Sequence, residues 1–520
     1  MSKLFNDIRK NLLKEVFGSK RLFIIAICVF LFGLIGNAYG FLDFNFSHDS
    51  SMMIQSDGLW QVMIGRYLQP IYVIFRGKLY SPFIVGMLSL VYVSFSTYLI
   101  TDILKIKTVF GNVLTSGVLV TNSVFCLISA TYIYSIDVFM LALMSSCIGT
   151  YFCIKYKNRN ILAVIFLAIS LALYQSYWQV AILILMFSLI QDILQNIKFK
   201  NILRKVLRYI LVLIFSILVY YMFIGIFQKI YGVSGVNSYN SIPSISTYLN
   251  INDDILLIKG AYKEFFRYYI HPSIYAERLI SVLSFICFFV NGGVILINLI
   301  KNKINFQNVI ILVIITLLLP LGGNIIYVIT HGMEHGLMLY SLFIPYVFCI
   351  SVFENNKIKF ARNKKIMYCL INAVTMCALI FNGVIYSNQI YMKKHVEYSY
   401  TYATLNRIIY KIEEVNDYVP KVSQVMFIGD LENSSISAKN NYFNYKDVGL
   451  SGNFAVTYLG TYRTFINNIM GYPMNIITDE KLISNFSKRS IIKELPAFPA
   501  KDCITVIDDI IVVKLSEVEE

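Results

Sequence analysis

About eleven stretches of this chain are apolar over the length a helix needs to cross a lipid bilayer, close to 20 residues each. They run approximately Leu22 to Tyr39, Phe83 to Ile100, Val109 to Ser129, Ile136 to Ile154 and Leu162 to Leu173. Trp178 to Ile190, Ile210 to Phe227, Leu279 to Leu299, Val309 to Ile329, Met338 to Phe353 and Ile366 to Tyr386 follow. A chain of 520 residues that is 57% hydrophobic and 14% charged cannot bury its apolar surface in one aqueous core, so lipid is its solvent. The runs on either side of Tyr174 share barely a turn of connection and can also be read as one long helix. Removing one span would invert everything after it.

Charge placement decides the parity. With the N-terminus cytoplasmic, alternate loops should be rich in Lys and Arg. The inner segments then carry Lys3, Arg9, Lys10, Lys14, Lys20 and Arg21, then Lys105 and Lys107, then Lys155, Lys157 and Arg159. Lys198, Lys200, Arg204, Lys205 and Arg208 follow, then Lys301 and Lys303, then Lys357, Lys359, Arg362, Lys364 and Lys365. The short outer turns near Thr131, Gln175 and His331 carry neither residue type. The net charge of +15 is therefore mainly an orientation signal, and nucleic acid is not expected as a partner. The first span, behind its basic leader, reads as an uncleaved anchor. All nine cysteines except Cys503 fall in or at the ends of apolar runs, which fits packing rather than a disulfide framework.

This topology gives a multi-span membrane domain over residues 1–388, with outer loops at 41–82, 228–277 and 330–337, and an extracytoplasmic C-terminal domain over 389–520. Tyr398, Leu405, Ile408, Ile409 and Ile412 recur at helical spacing, whereas Val425 to Ile428 and Ile504 to Val513 read as short strands. The tail, at roughly 130 residues, is large enough for its own core. The expected fold is thus an α-helical polytopic membrane protein with a small outer α/β domain. All five histidines fall in the outer segments.

Four short motifs punctuate the membrane part. Ser47-His48-Asp49 lies just past the first span, and Gly65-Arg66-Tyr67-Leu68 opens an amphipathic stretch suited to the membrane surface. Tyr134-Ser-Ile-Asp137 precedes a helix rich in small residues, and Leu173-Tyr-Gln-Ser-Tyr177 sits between two spans. In this order and spacing they resemble the GtrII-like glucosyltransferases of bacterial membranes. That resemblance implies a GT-C type, GT-C-like fold and transfer of a hexose, glucose by the family name, from a polyprenyl-phosphate carrier to a cell-surface polysaccharide outside the cytoplasmic membrane. It also implies Asp49 as the catalytic carboxylate, with His48, Arg66, Tyr67, Asp137, Tyr174 and Gln175 binding substrate in one cavity. The stretch His335-Gly-Leu-Met-Leu-Tyr340 lacks the arginine that this family would place there.

The chemistry can also be reasoned from the residues. Attack by a sugar hydroxyl on an anomeric carbon needs one base, for which Asp49 competes with Asp43 and Asp57. The leaving group is a phosphate, which needs cations or backbone donors rather than an acid. Arg66, Lys259, Lys263, Arg267, Arg278, His331 and His335 are the candidates, and a single inverting displacement is the simplest course. The alternative readings are a loop acid capping a helix for Asp49, an interfacial anchor for Arg66 and a structural acid at a helix end for Asp137. No closed set of metal ligands is visible around His331, Glu334 and His335, although a divalent ion such as Mg or Mn beside Asp49 remains open.

A lipid-linked sugar transporter or flippase, and a surface-glycan polymerase or ligase, are the alternative classes. The expected partners are the lipid-linked donor, the glycan acceptor, the bilayer, and the membrane proteins that make and flip the donor.

Overall fold

The computed structural model describes residues 19–43, 46–50, 58–77, 80–235, 251–272, 277–355, 362–437, 445 and 449–517. It divides into two compact units: Met1–Phe41, Asp57–Ile128 and Ser135–Ser387 form the first, and Leu42–Ser56, Ser129–Tyr134 and Asn388–Glu520 the second. Asp57, the basic leader up to Gly18, Lys357 and Lys359, and the stretch 236–250 of the middle loop lie outside the described residues.

In chain order the helices are α1 (Lys20–Leu42), α2 (Leu59–Met63), α3 (Leu68–Arg76), α4 (Pro82–Ile103), α5 (Val109–Val120), α6 (Ser123–Thr131), α7 (Ile136–Lys155) and α8 (Asn160–Leu173). Then come α9 (Trp178–Leu194), α10 (Phe199–Tyr231), α11 (Ile251–Ile270), α12 (Glu277–Lys301), α13 (Phe306–Gly323), α14 (Ile325–Ile329), α15 (Ile344–Asn355) and α16 (Arg362–Glu413). Nine helical segments among the described residues are long and apolar enough to cross a membrane: Lys20–Leu42, Pro82–Ile103, Val109–Thr131, Ile133–Lys155, Gln175–Leu194, Phe199–Tyr231, Glu277–Lys301, Phe306–Gly323 and Arg362–Glu413.

All eleven apolar runs of the sequence contain helix, but two fall short of that standard. One is α8, with 14 residues; at about 1.5 Å per residue it is about 21 Å long, against a hydrocarbon core of about 30 Å. The other is the segment Tyr340–Asn355. The two runs around Tyr174 are separate helices, because Tyr174 is extended and a single 3-10 turn, Gln175–Tyr177, intervenes. The run from Val309 to Ile329 is interrupted at Asn324, which follows Gly322 and Gly323; Pro320 lies inside the helix that ends there.

Ion pairs in the first unit join helix ends that the charge pattern placed on the cytoplasmic side. Asp102, at the end of α4, meets Arg21 of α1 at 2.9 Å and Lys155 of α7 at 2.7 Å. Glu354, at the end of α15, accepts from the backbone amides of Lys107 and Thr108 at 2.8 and 3.2 Å, and so caps the start of α5. Lys205 of α10 pairs with Asp192 of α9.

In the second unit a four-stranded sheet has the order β2-β1-β4-β3, with β1 Gln424–Ile428, β2 Asn475–Ile476, β3 Ile504–Ile507 and β4 Ile510–Lys514. Both neighbours of β1 run parallel to it, and β3 is antiparallel to β4. The run from Ile504 to Val513, read from the sequence as one strand, is a hairpin. Asp508 and Asp509 at its turn both have positive φ, 50° and 60°, the geometry that a tight hairpin turn demands.

Strand alternation sends Val425 and Phe427 of β1 to one face and Met426 and Ile428 to the other. The first face packs on Leu405, Ile408 and Ile412 of α16 and on Phe454, Tyr462 and Phe465. The second packs on Phe486 and Ile492, from the short helices α18 (Glu480–Ser487) and α19 (Ser490–Glu494), which follow α17 (Leu459–Thr464). The tail is therefore a small α/β fold, as its spacing predicted.

Candidate functional site

In the second unit the Ser47-His48-Asp49-Ser50 motif is a tied turn. Ser50 Oγ accepts from the Ser47 amide at 2.8 Å, and the Ser50 amide donates to the Ser47 carbonyl at 2.9 Å. The preceding Phe46 is fully buried in the core of the tail, edge-on to Phe465 with ring centres 5.1 Å apart. His48 is held on several sides. Its Nε2 lies 3.0 Å from Tyr132 Oη, its Nδ1 lies 3.2 Å from Ser47 Oγ, and its ring is edge-on to Tyr132. Gly449, with φ +78°, passes so close that a Cβ there would lie 2.5 Å from His48 Nδ1.

Asp49 follows with one third of its side chain exposed, and Oδ2 is 3.4 Å from His48 Nε2. This gives a partly exposed carboxylate beside an imidazole whose orientation is fixed, a geometry in which a carboxylate can accept a proton. Of its two rivals, Asp43 is engaged with His395 at 2.9 Å, and Asp57 is not among the described residues. Behind the turn, Lys394 pairs with Glu397 at 2.7 Å and donates to the Gly449 carbonyl at 3.3 Å, with both charged side chains almost wholly buried.

In the first unit, two of the sequence motifs turn out to be halves of one joint. The chain turns between α2 and α3 at Gly65, whose φ is +83° and whose missing side chain leaves room for Tyr220; a Cβ there would be 2.2 Å from the tyrosine hydroxyl. Across the joint, the Gln175 side chain donates to the Ile64 carbonyl at 3.0 Å and to Tyr220 Oη at 3.3 Å, and accepts from Arg66 Nε at 3.4 Å. Gln69 Nε2 donates at 2.7 Å to the carbonyl of Leu173, one of those left over where α8 ends. Arg66 lies over the Tyr174 ring, 4.5 Å from its centre. Tyr67 is buried and stacks on Tyr220 and Phe227. Arg66, Tyr174 and Gln175 line a small pocket together with Ser176, Thr330 and Met338.

Asp137 sits at the start of α7 with no exposure. Arg76 Nη1 reaches both carboxylate oxygens, at 2.8 and 2.9 Å, while Tyr72 Oη and the Val138 amide each donate at 2.9 Å. Sequence reasoning passed over Arg76. The available signal was its place one turn after Tyr72 on α3, on the same side of the helix.

The remaining cations are more open. Lys259, Lys263, Arg267 and Arg278 are exposed, and Arg267 pairs with Glu264 at 3.0 Å. His331 stands at φ +50° in the turn after α14, and His335 is half-buried. Between them, Glu334 accepts from Asn324 Nδ2 at 2.7 Å. Burial pushes its carboxyl up to about 7; the Asn324 hydrogen bond opposes this, Glu264 adds to it, and Arg267 opposes it.

Among the described residues no three His, Cys, Asp or Glu side chains group as metal ligands. The described neighbours of Asp49 are the His48 imidazole and, through it, the hydroxyls of Ser47 and Tyr132.

Many long apolar helices, with polar motifs at their breaks, define a multi-pass membrane protein. Residues 38–353, more than half of the chain, match the family model Glucosyl transferase GtrII, and the protein belongs to that family of glycosyltransferases. The match takes in both halves of the Gly65–Gln175 joint, Asp137 and the Ser47–Ser50 turn, and ends before α16 and the tail. No curated protein and no solved structure matches the chain.

Proposed function

We propose that the protein transfers a hexose, glucose by the family's name, from a polyprenyl-phosphate carrier to a cell-surface polysaccharide, on the outer face of a bacterial cytoplasmic membrane. Asp49 takes the proton of the acceptor hydroxyl as its oxygen bonds to the anomeric carbon. The bond from that carbon to the phosphate oxygen breaks, polyprenyl phosphate leaves as an anion, and the configuration inverts. The observation that carries this reading is the partly exposed Asp49 carboxylate on a turn anchored by Phe46, beside the fixed His48 ring.

The orientation, with the N-terminus inside and the C-terminal domain outside, is supported by the meeting of Arg21, Asp102 and Lys155 at helix ends rich in basic residues. A flippase reading would appeal to the break of α13 at Asn324.

Purified protein with polyprenyl-phosphate glucose and acceptor glycan separates these readings. Native protein should release polyprenyl phosphate and glycosylate the acceptor, and Asp49→Asn should lose at least about a hundredfold in turnover. Full activity in the Asn variant would remove Asp49 as base. Absence of transfer across a panel of hexose donors, together with movement of the lipid-linked sugar between leaflets, would favour transport.

A further inference from the structure

Helices α12 and α13 follow one another through the short turn 302–305, yet barely touch along their lengths. The space between them is an apolar groove of about 750 Å³ that reaches inward to Leu183 and Phe187 of α9 and Phe348 of α15. Its walls are unusually aromatic: Phe285, Phe288 and Phe289 on one side, Phe265 and Phe266 of α11 on another. Where bulky residues would otherwise close the gap, α12 carries Gly292 and Gly293, and nothing lies within 4 Å of where their Cβ atoms would be.

The polar groups in the lining are already used. Asn291 donates to Asn372 at 2.8 Å and accepts from the Tyr368 hydroxyl at 2.7 Å. Thr316 bonds back to the carbonyl of Leu312 at 2.8 Å. A ligand would find no free hydrogen-bonding group among these, so a sugar is excluded and a hydrocarbon fits. The charge sits beyond one end. Arg278, Phe285, Phe289, Gly292, Leu296 and Leu299 are spaced by seven, four, three, four and three residues, which places them on one stripe of α12. The exposed Arg278 therefore lies two turns, about 10 Å, past Phe285 on the face that forms the groove.

We propose that this groove holds the isoprenoid chain of the lipid-linked donor, with Arg278 placed to meet its phosphate. The inference rests on the donor class argued above. A cation at the end of an apolar trough complements an anionic head on a hydrocarbon tail. Fixed aromatic walls and the glycine notch suit methyl-branched isoprene units, and the rest of a long carrier runs out into the bilayer through the gap between α12 and α13.

The test uses the full chain in phosphatidylcholine nanodiscs and a polyprenyl phosphate that carries a photoreactive diazirine on its chain and no sugar. Label should map to α12 and α13 and be displaced by unlabelled polyprenyl phosphate but not by an equal amount of a straight-chain dialkyl phosphate. Gly292→Trp, which fills the notch, should reduce saturable labelling about tenfold. Leu296→Trp, at a lining position 60% exposed and therefore tolerant of bulk, repeats the test if the glycine variant does not fold. Arg278→Gln should weaken binding about threefold at low salt without moving the label.

Saturable label confined to other helices would overturn the groove while leaving the donor class intact. Equal displacement by the dialkyl phosphate would mean that the groove takes ordinary bilayer lipid. If polyprenyl phosphate does not bind at all, the groove and the donor class both fall.

Discussion

The buried pair of Arg76 and Asp137 allows a quantitative test of whether the site is held as described. Their side chains are 4% and 0% exposed. Replacing Arg76 by Met keeps most of the apolar stem and removes the charge. The Asp137 carboxylate then retains only Tyr72 and the Val138 amide of the partners described above. Removing one partner of a buried pair costs about 3–5 kcal/mol. The two surviving donors argue for the lower end, about 3 kcal/mol or roughly a hundredfold in the unfolding equilibrium.

Asp137→Asn alone should destabilise by a similar amount, because the buried Arg76 guanidinium then loses its carboxylate. The double variant should return to within about 1 kcal/mol of native, since both charges are then gone and Tyr72 can still donate to the new amide; with each single variant losing about 3 kcal/mol, the coupling is then about 5 kcal/mol. Denaturant titration of the four proteins in mixed micelles, followed by tryptophan fluorescence, measures the cycle. A coupling below about 0.5 kcal/mol would refute the reasoning. If Asp137→Asn is as stable as native yet inactive, Asp137 acts on substrate rather than as a strut.

Glu334 has a folded-state pKa raised to about 7 from 4.5, so the folded protein holds a proton that the unfolded chain has released between those values. Stability should therefore fall by about 2–3 kcal/mol as pH rises from 4.5 to 7 and then level off; Glu334→Gln should abolish this slope and be the more stable protein at pH 8, read by thermal unfolding at pH 5 and 8. Gly65→Ala puts a methyl group against Tyr220 at a positive φ, and should lower stability by about 1–3 kcal/mol and reduce transfer; equal behaviour to native would show that the joint gives way freely. Glu397→Gln leaves Lys393 and Lys394 buried without their shared carboxylate, and should destabilise the tail by about 3 kcal/mol, seen as faster proteolysis after residue 413; unchanged protection would sink the idea.

The long apolar helices, most of their limits and the α/β character of the tail were legible in the sequence, because hydropathy and side-chain period are properties of neighbouring residues; α11, Ile251–Ile270, lies within a stretch read as an outer loop. The break at Asn324 falls inside the run from Val309 to Ile329, where Gly322 and Gly323 stand just before it. The two-strand nature of 504–513 was legible in principle, since two aspartates interrupt an apolar run, but the run was read whole.

The site is different. The Gly65-Arg66-Tyr67 and Tyr174-Gln175 motifs of the first unit could be picked out one by one, yet nothing local says that Gly65 must be glycine because Tyr220 packs against it. Nor does anything local say that the partner of Asp137 is Arg76 rather than one of the exposed cations. Those choices join residues 61 and 155 positions apart. Lipid dictates that the chain form apolar helices and therefore writes itself into the sequence. Which charge neutralises which, and which glycine yields to which ring, is decided by helix packing, where buried polar groups must find partners wherever the fold brings them.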